Sequence, residues 1–197
     1  MNGCLIMQIQ KEEVRERILK AATEEFLEKG FQKSSMRLIA QKAGITAGNI
    51  YAYFSGKEAV LDALLTPAVQ KLGQFVFEVS KGAEINELSL KEIGDSLISI
   101  FLENQNQFMV LMSAVNGTPY QKTRTYLQEL VTRRIEEELM PRLAIVENRS
   151  MIANMLSAAI IEGVLLAFAS YDGDEEALRE QLRQFMRIMF RGFGIKE

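Results

Sequence analysis

The stretch from Lys29 to Lys57 decides the fold, and it reads KGFQKSSMRLIAQKAGITAGNIYAYFSGK. It contains no Asp or Glu, although the whole chain has a formal net charge of −3. Gly44 separates two helical patterns, for which Ser34-Ser35 and Thr46 supply caps. A helix, a glycine turn and a second helix on an acid-free patch indicate a helix-turn-helix unit that faces the phosphate backbone of DNA. The five basic residues of the patch are Lys29, Lys33, Arg37, Lys42 and Lys57.

The charge is unevenly distributed along the chain. Residues 1–66 contain nine Lys/Arg and eight Asp/Glu, a balance of +1, whereas residues 67–197 contain fourteen and eighteen, a balance of −4. Overall acidity argues against a nucleic-acid partner, but attraction to phosphate decays within about 10 Å at moderate salt, so the local patch decides. We therefore expect the amino-terminal part to bind DNA.

Composition removes several classes of protein. An apolar fraction of 48% over 197 residues excludes general disorder and provides one large or two small domains with a core. Cys4 is the single cysteine and there is no histidine, so neither an internal disulfide nor a zinc site is expected. The commonest general base is also missing, and no nucleophile elbow, HExxH, P-loop or GxGxxG pattern occurs. We predict no enzyme, catalytic site, metal or cofactor.

The first residues indicate where the chain resides. Met1 to Met7 have no positive region and too short an apolar run for a signal peptide, so we expect a cytoplasmic protein. Either Met1 or Met7 can be the natural start.

Helical spacing recurs throughout and no strand alternation persists, which predicts an all-α fold. A first helix is predicted over about Lys11–Glu28, with Gly30 as its carboxy-terminal cap. In the short helix that follows Thr46, Ile50 and Phe54 face inward. The residues left outside are then Ala47, Gly48, Asn49, Tyr51 and Tyr53.

A proline marks the predicted domain boundary. The fourth helix begins near Lys57 and meets Thr66-Pro67, where proline either kinks a helix or opens a new one with Thr66 as its cap. We predict a three-helix helix-turn-helix domain over residues 1–66 and a helical domain over residues 67–197. Helix boundaries in the second domain are predicted at the Ser89–Glu92 capping box, Thr118-Pro119, Leu139 and Pro141.

The two closing helices predict an oligomer. Met151 to Ser170 is apolar nearly all round, but Glu162 lies inside it and its flanks lack aromatic or basic anchors, so we reject a membrane span. A soluble helix without a polar face is covered on more than one side. A second copy of the chain, packed on this helix and on Glu175 to Gly192, is the simplest cover; complete burial within a monomer is the alternative. The predicted dimer contacts are Ile161, Gly163, Leu182, Phe185 and Met189.

The residues around the glycine turn have the chemistry of a DNA reading surface. Short residues over Thr46-Ala47-Gly48-Asn49 allow close approach to base edges. The hydroxyls of Tyr51 and Tyr53 suit phosphate contacts that set the register, and Lys57 adds a charge at the start of the next helix. Ser34 or Ser35 adds a further hydroxyl, although both serines also serve as helix caps without DNA.

Residues 14–65 resemble the DNA-binding domain of TetR-type (tetracycline-repressor family) transcriptional regulators. The resemblance rests on Gly30-Phe31, Ser34 to Ala40, Ala43 to Phe54 and Lys57 to Leu61. It implies that Thr46 to Asn49 face bases and that Tyr51, Tyr53 and Lys57 hold phosphates. It also implies a homodimer joined by the last two long helices, and a ligand cavity in the carboxy-terminal domain. Departures from the family pattern are Leu38, Ser55-Gly56 and Pro67.

These observations predict a dimeric repressor that a small-molecule effector releases from a palindromic operator in double-stranded DNA. The alternative is an all-helical ligand-carrying or enzymatic domain whose basic unit docks a protein. The effector, the operator sequence, the regulated genes and the sign of regulation are not readable from the chain. The predicted apolar pocket is lined by Phe101, Phe108, Met109, Met112, Met155 and Phe168.

Overall fold

The computed structural model describes residues 2–81, 87–113, 115–142 and 147–191, and these ranges contain helices and connecting turns but no strand. The all-α prediction is therefore confirmed. The α-helices are α1 (Asn2–Lys33), α2 (Met36–Lys42), α3 (Lys57–Lys81), α4 (Glu87–Glu103), α5 (Gln105–Ser113), α6 (Thr123–Arg134), α7 (Arg149–Ala169) and α8 (Glu175–Arg191). Shorter turns of 3-10 helix cover Asn49–Ala52, Pro119–Lys122 and Met140–Arg142, and a π-helical turn covers Ile135–Leu139.

The first compact unit comprises Met1–Val69 together with Gln105–Gln121. Its core is built from the inner faces of α1, α2 and α3, where Phe26, Ile39 and Leu65 are fully buried. Val110 of α5 is also fully buried in this cluster, and Val115 follows it. The unit is thus larger than the domain predicted over residues 1–66, because a later segment of the chain completes its core.

The second compact unit comprises Gln70–Asn104 and Lys122–Glu197. Ile135, Leu139 and Met140 pack with side chains of α7 and α8 in one buried cluster. Phe101 of α4 stacks on Phe168 of α7, with ring centroids 4.1 Å apart and an interplanar angle of 4°. An aromatic pair contributes about 0.5–1.5 kcal/mol beyond the area that it buries, so this pair helps to hold α4 against α7.

Glycine and serine set the helix ends of the first unit largely as predicted. Gly30 has φ 73° and ψ 159° and interrupts the helical geometry of α1, and Gly44 has φ 69° after α2. Both angles suit glycine, because a Cβ disfavours positive φ. Ser35 is the cap of α2, and its Oγ accepts a hydrogen bond from the Leu38 N–H at 3.3 Å. The first helix begins earlier than predicted, at Asn2.

Two predicted helix starts do not occur: no new helix begins at Pro67, which was one of the two alternatives for that residue, and α4 does not begin at Ser89. Helix α3 runs without interruption through Pro67, and the Thr66 hydroxyl bonds to the Tyr120 hydroxyl at 3.1 Å instead of capping a new helix. Buried neighbours such as Leu65 and Ala68 hold α3 in place, so their packing outweighs the roughly 3 kcal/mol that an internal proline costs. Helix α4 is already formed at Glu87, so Ser89 lies inside its first turn and is not its cap.

The helix predicted from Thr118 to Leu139 is segmented. It begins as a 3-10 turn at Pro119, continues as α6, and ends in the π-helical turn. Pro141 lies in the 3-10 turn that follows, where its ring no longer disturbs an α-helical ladder. The predicted helix end at Gly192 falls outside the described residues.

Helix α7 is the one helix in the described ranges that is long and apolar enough to cross a membrane by length and composition alone.

Candidate nucleic-acid interface

We name the segment Thr46 to Tyr53 the wedge. Most of the side chains that were predicted to face outward from it are exposed. Thr46, Ala47, Gly48 and Asn49 are exposed, and Tyr51 is 58% exposed. Ile50 is fully buried, so the inward face of the wedge is anchored in the core.

The wedge is a tight turn followed by one 3-10 turn, and not the short α-helix that was predicted. The Thr46 Oγ1 accepts a hydrogen bond from the Asn49 N–H at 3.2 Å across the tight turn, whereas the residue at the cap position of the 3-10 turn is Gly48 and not the predicted Thr46. Tyr53 is half-buried and packs against the core cluster, so it is less exposed than expected. Among the described residues, no group is bonded to the Asn49 side-chain amide or the Tyr51 hydroxyl, which leaves both available to a ligand.

Ser34 does not belong to this surface. Its side chain is 6% exposed, and its Oγ lies 2.7 Å from the Gly30 carbonyl oxygen and 3.2 Å from that of Glu25. The predicted contact between Ser34 and phosphate is therefore wrong, because the hydroxyl satisfies carbonyl groups at the interrupted end of α1. Ser35 is partly exposed, and its hydroxyl already acts as the cap of α2.

The basic patch is acid-free in sequence but not in space. Glu25 of α1 is fully buried, and its carboxylate lies 3.1 Å from Lys29 Nζ and 3.1 Å from Lys42 Nζ. Lys42 also donates to Glu28 at 2.7 Å. The hydrogen bond from Lys42, together with its charge, lowers the pKa of Glu28, and the hydrogen bond to Glu28 raises the pKa of Lys42. Two of the five basic residues are thus neutralised by carboxylates that precede the patch in the chain.

Lys57 is also engaged inside the protein. Its ammonium donates to the carbonyl oxygens of Phe31 at 2.6 Å and Ser34 at 3.0 Å, with Gln32 at 3.4 Å. This arrangement differs from the phosphate contact that the sequence predicted. Within the described part of the chain, Lys33 and Arg37 are then the residues of the patch that are exposed and have no partner for their charge.

The residues predicted to line a pocket are divided between the two units. Phe108, Met109 and Met112 belong to α5 in the first unit, where Phe108 is buried and Met112 is 37% exposed. Phe101 and Phe168 stack on each other in the second unit, and Met155 is 65% exposed. The stacked pair Phe101 and Phe168 is thus in contact, and the pocket stays a prediction.

The predicted dimer contacts are placed differently from one another. Leu182 is 2% exposed and lies in the core of the second unit, whereas Ile161, Phe185 and Met189 are half-buried. Gly163 admits the Phe185 ring, because a Cβ on Gly163 would lie 2.3 Å from Phe185 Cζ. Helix α7 also carries an exposed apolar stripe that the sequence did not single out, and we name it the α7 stripe: Met151, Met155, Ala159 and Leu166.

The α7 stripe could not be predicted from the spacing of apolar residues in the sequence. A helix that is apolar on every side gives no periodic signal for the face that its own core covers. The exposed residues of the stripe recur at intervals of four or seven, which places them along one side of helix α7.

The described residues form helices and turns without a strand, and the amino-terminal unit presents an exposed wedge after a glycine turn, which is the architecture of a helix-turn-helix protein. Residues 18–64 match the family model for bacterial regulatory proteins of the tetR family. The amino-terminal unit is therefore similar to the DNA-binding domain of this family of transcriptional regulators.

The relatives that are similar in sequence match only a part of the chain. The chain is 45% identical over 56 residues to the HTH-type transcriptional regulator SrpR of Pseudomonas putida, covering 28% of this chain and 26% of that protein. It is 41% identical over 59 residues to UidR of Escherichia coli K12, covering 30% of each. These alignments span less than a third of either relative.

Solved structures share the fold over most of the chain. A TetR-family regulator from Bordetella parapertussis 12822 superposes with a TM-score of 0.70 at 21% identity, covering 88% of this chain and 93% of that one. A transcriptional regulator from Aquifex aeolicus VF5 gives 0.64 at 18% identity, covering 90% and 99%.

Proposed function

We propose that this chain is a cytoplasmic, DNA-binding transcriptional regulator that acts as a dimeric repressor and is released from a palindromic operator by a small-molecule effector. The observation that carries the proposal is the exposed wedge, whose Asn49 amide and Tyr51 hydroxyl are unbonded within the described residues. Polar groups in a fold of this type reach base edges and phosphates in the major groove.

The roles within the wedge follow from size and chemistry. Ala47 and Gly48 are small enough to let the main chain approach the groove, and Asn49 has the paired donor and acceptor that suit an adenine edge. The Tyr51 hydroxyl donates to a phosphate oxygen and sets the register of the wedge. Lys33 and Arg37 supply the long-range attraction, because their charges are not cancelled by a neighbouring carboxylate in the described chain.

Dimerisation is supported by the α7 stripe. Met155 is 65% exposed and Leu166 is 68% exposed, which is unusual for large apolar side chains that recur along one face. Glu162 lies on the same side of α7 and forms an ion pair with Arg124, which favours a protein partner over lipid. A two-fold contact through this stripe would give the molecule two wedges, and a palindromic operator requires two of them, about 34–36 Å apart.

Release by an effector follows from linkage between the two ligands. An effector that prefers a spacing of the wedges unsuited to successive grooves shifts the population away from DNA. Effector and DNA then weaken each other by the same factor.

The experiment compares Tyr51→Ala with Tyr126→Ala, since Tyr126 of the second unit is equally exposed at 57%. The probe is a palindromic duplex that the parent protein selects from a randomised pool. Loss of a hydroxyl contact in each of two wedges costs about 1 kcal/mol apiece, so Tyr51→Ala should weaken binding about 30-fold. The Tyr126 control should bind as the parent does, and equal affinities for all three proteins would contradict the proposal.

The same duplex tests the electrostatic part of the proposal. Each neutralised phosphate contributes about 0.9 to the slope of log K against log salt concentration, so Lys33→Gln/Arg37→Gln should flatten the slope of a dimer by about 3.6. The matched control is Lys29→Gln. The charge of Lys29 is already paired with Glu25, so this substitution should leave the slope unchanged. A docking domain for a protein partner, the alternative that the sequence left open, predicts no such slope.

A further inference from the structure

Lys57 occupies an unusual position for a basic residue of a DNA-binding unit. Its Nζ lies 2.6, 3.0 and 3.4 Å from the carbonyl oxygens of Phe31, Ser34 and Gln32. The ammonium also lies 4.4 Å from the centroid of the Phe31 ring, which is 5% exposed. We name this arrangement the carbonyl clamp.

The clamp uses the full hydrogen-bonding capacity of the lysine. An ammonium has three N–H donors, and each has one carbonyl oxygen within reach. Hydrogen bonds from a charged donor are about twice as strong as neutral ones, and the facing ring adds a cation–π attraction. A phosphate contact would require Lys57 to give up at least one of these bonds.

The acceptors explain why a cation is held at this point. Gly30 interrupts the helical geometry of α1, and the carbonyl groups of the last turn of a helix lack the usual intrahelical donors; here the Phe31 carbonyl accepts one bond from the Ser34 N–H at 3.3 Å and keeps a lone pair for Lys57. These groups form the negative end of the helix dipole, where a positive charge is stabilised. The Ser34 hydroxyl satisfies the Gly30 carbonyl, and Lys57 satisfies those of the next residues.

The clamp also fixes both ends of the segment that carries the wedge. Ser34 immediately precedes Ser35, the cap of α2, and Lys57 is the first residue of α3. The wedge lies in the chain between α2 and α3, so its position depends on how these two helix starts are held.

We propose that Lys57 is a positioning residue of the proposed DNA-binding unit: it holds the starts of α2 and α3 together through the carbonyl clamp and does not itself bind phosphate. This inference rests on the proposed function and assigns to Lys57 a role that differs from that of Lys33 and Arg37. The Lys57 ammonium bonds to carbonyl groups within the first unit, and Lys57 contributes to DNA binding by placing the wedge.

The test measures the salt slope, specific affinity, non-specific affinity and thermal midpoint for the full chain and its variants Lys57→Met and Lys57→Arg. The specific probe is the palindromic duplex selected by the parent, and the non-specific probe is poly(dI-dC). We expect Lys57→Met to weaken specific binding at least 10-fold, to change non-specific binding less than 2-fold, and to leave the slope unchanged within about 0.5. Its thermal midpoint should fall by about 3–6 °C, whereas Lys33→Met should leave the midpoint unchanged.

Lys57→Arg separates the two roles most directly. Arginine is a good phosphate ligand, but its planar guanidinium does not fit three carbonyl oxygens around one point. We therefore expect Lys57→Arg to behave as Lys57→Met does.

Three results would overturn the inference. A slope flattened by about 1.8 in Lys57→Met, as expected for Arg37→Gln, or parental binding by Lys57→Arg, would make Lys57 a phosphate ligand. A lower midpoint with parental specific affinity at 10 °C would reduce the clamp to a purely stabilising contact. A parent protein that selects no duplex would refute the proposed function itself, which is a different outcome from any of these.

Discussion

Substituting Gly163 by alanine tests the packing of the second unit. Gly163 lies in α7 opposite the ring of Phe185 on α8, and both residues belong to the same unit. A Cβ at Gly163 would lie 2.3 Å from Phe185 Cζ and 2.8 Å from each Cε atom. Carbon atoms in proteins normally approach to about 3.5–4.0 Å, so the ring has to move by more than 1 Å.

Two opposing terms set the size of the effect. Overpacking of this kind costs about 1–3 kcal/mol, while replacing glycine by alanine inside a helix gains about 1 kcal/mol. The expected net loss for Gly163→Ala is about 1 kcal/mol. For a chain of this length, this loss lowers the thermal midpoint by about 2–4 °C.

The assay is thermal unfolding followed by circular dichroism, at one protein concentration so that self-association contributes equally. Gly73→Ala is the matched control, because Gly73 lies inside α3 and its added Cβ meets no atom within 4 Å. The control should raise the midpoint by about 2–4 °C. In a Phe185→Leu background, Gly163→Ala should lose its penalty. A Gly163→Ala protein that is stabilised as much as Gly73→Ala would show that the ring does not occupy this site.

Two further predictions concern the first unit. Ser34→Ala should destabilise the folded protein by about 1–3 kcal/mol, because it removes the donor that serves the Gly30 carbonyl. It should leave the salt slope of DNA binding unchanged. A variant with parental stability and weaker phosphate binding would restore Ser34 to the interface. Burial raises the pKa of Tyr120 above its ordinary value of 10.0, so its contribution to stability is complete below that pH and is lost as pH rises through the higher folded-state pKa. Urea unfolding at pH 8 and at pH 10–11 should therefore show a smaller alkaline loss for Tyr120→Phe than for the parent, and equal losses would contradict a desolvated phenol.

Local chemistry predicted the parts of the interface that depend on neighbouring residues. The inward direction of Ile50 followed from helical spacing, and the cap at Ser35 followed from the preference of serine for that position. The break at Gly30 followed in the same way, because glycine tolerates positive φ.

Interactions between helices were not predictable from spacing. The fate of Lys42 depends on Glu25 and Glu28, which lie on a different helix, and only the packing of α1 against α2 brings these groups together. The clamp at Lys57 has the same character, since its acceptors are main-chain carbonyls that no residue type identifies. Pro67 was overestimated as a helix breaker because the burial of its neighbours was unknown.

Completion of the first unit by Gln105–Gln121 has a consequence for biosynthesis. When Val69 leaves the ribosome, the place that Val110 and Val115 will fill is still empty. At 5–20 residues per second, the missing segment is synthesised roughly 3–10 s later. During this time the apolar side chains that it will cover stay exposed in the nascent amino-terminal unit. During this interval the nascent unit exposes apolar surface to which a chaperone can bind. A protein fragment that ends after the helix-turn-helix would keep the same surface exposed permanently.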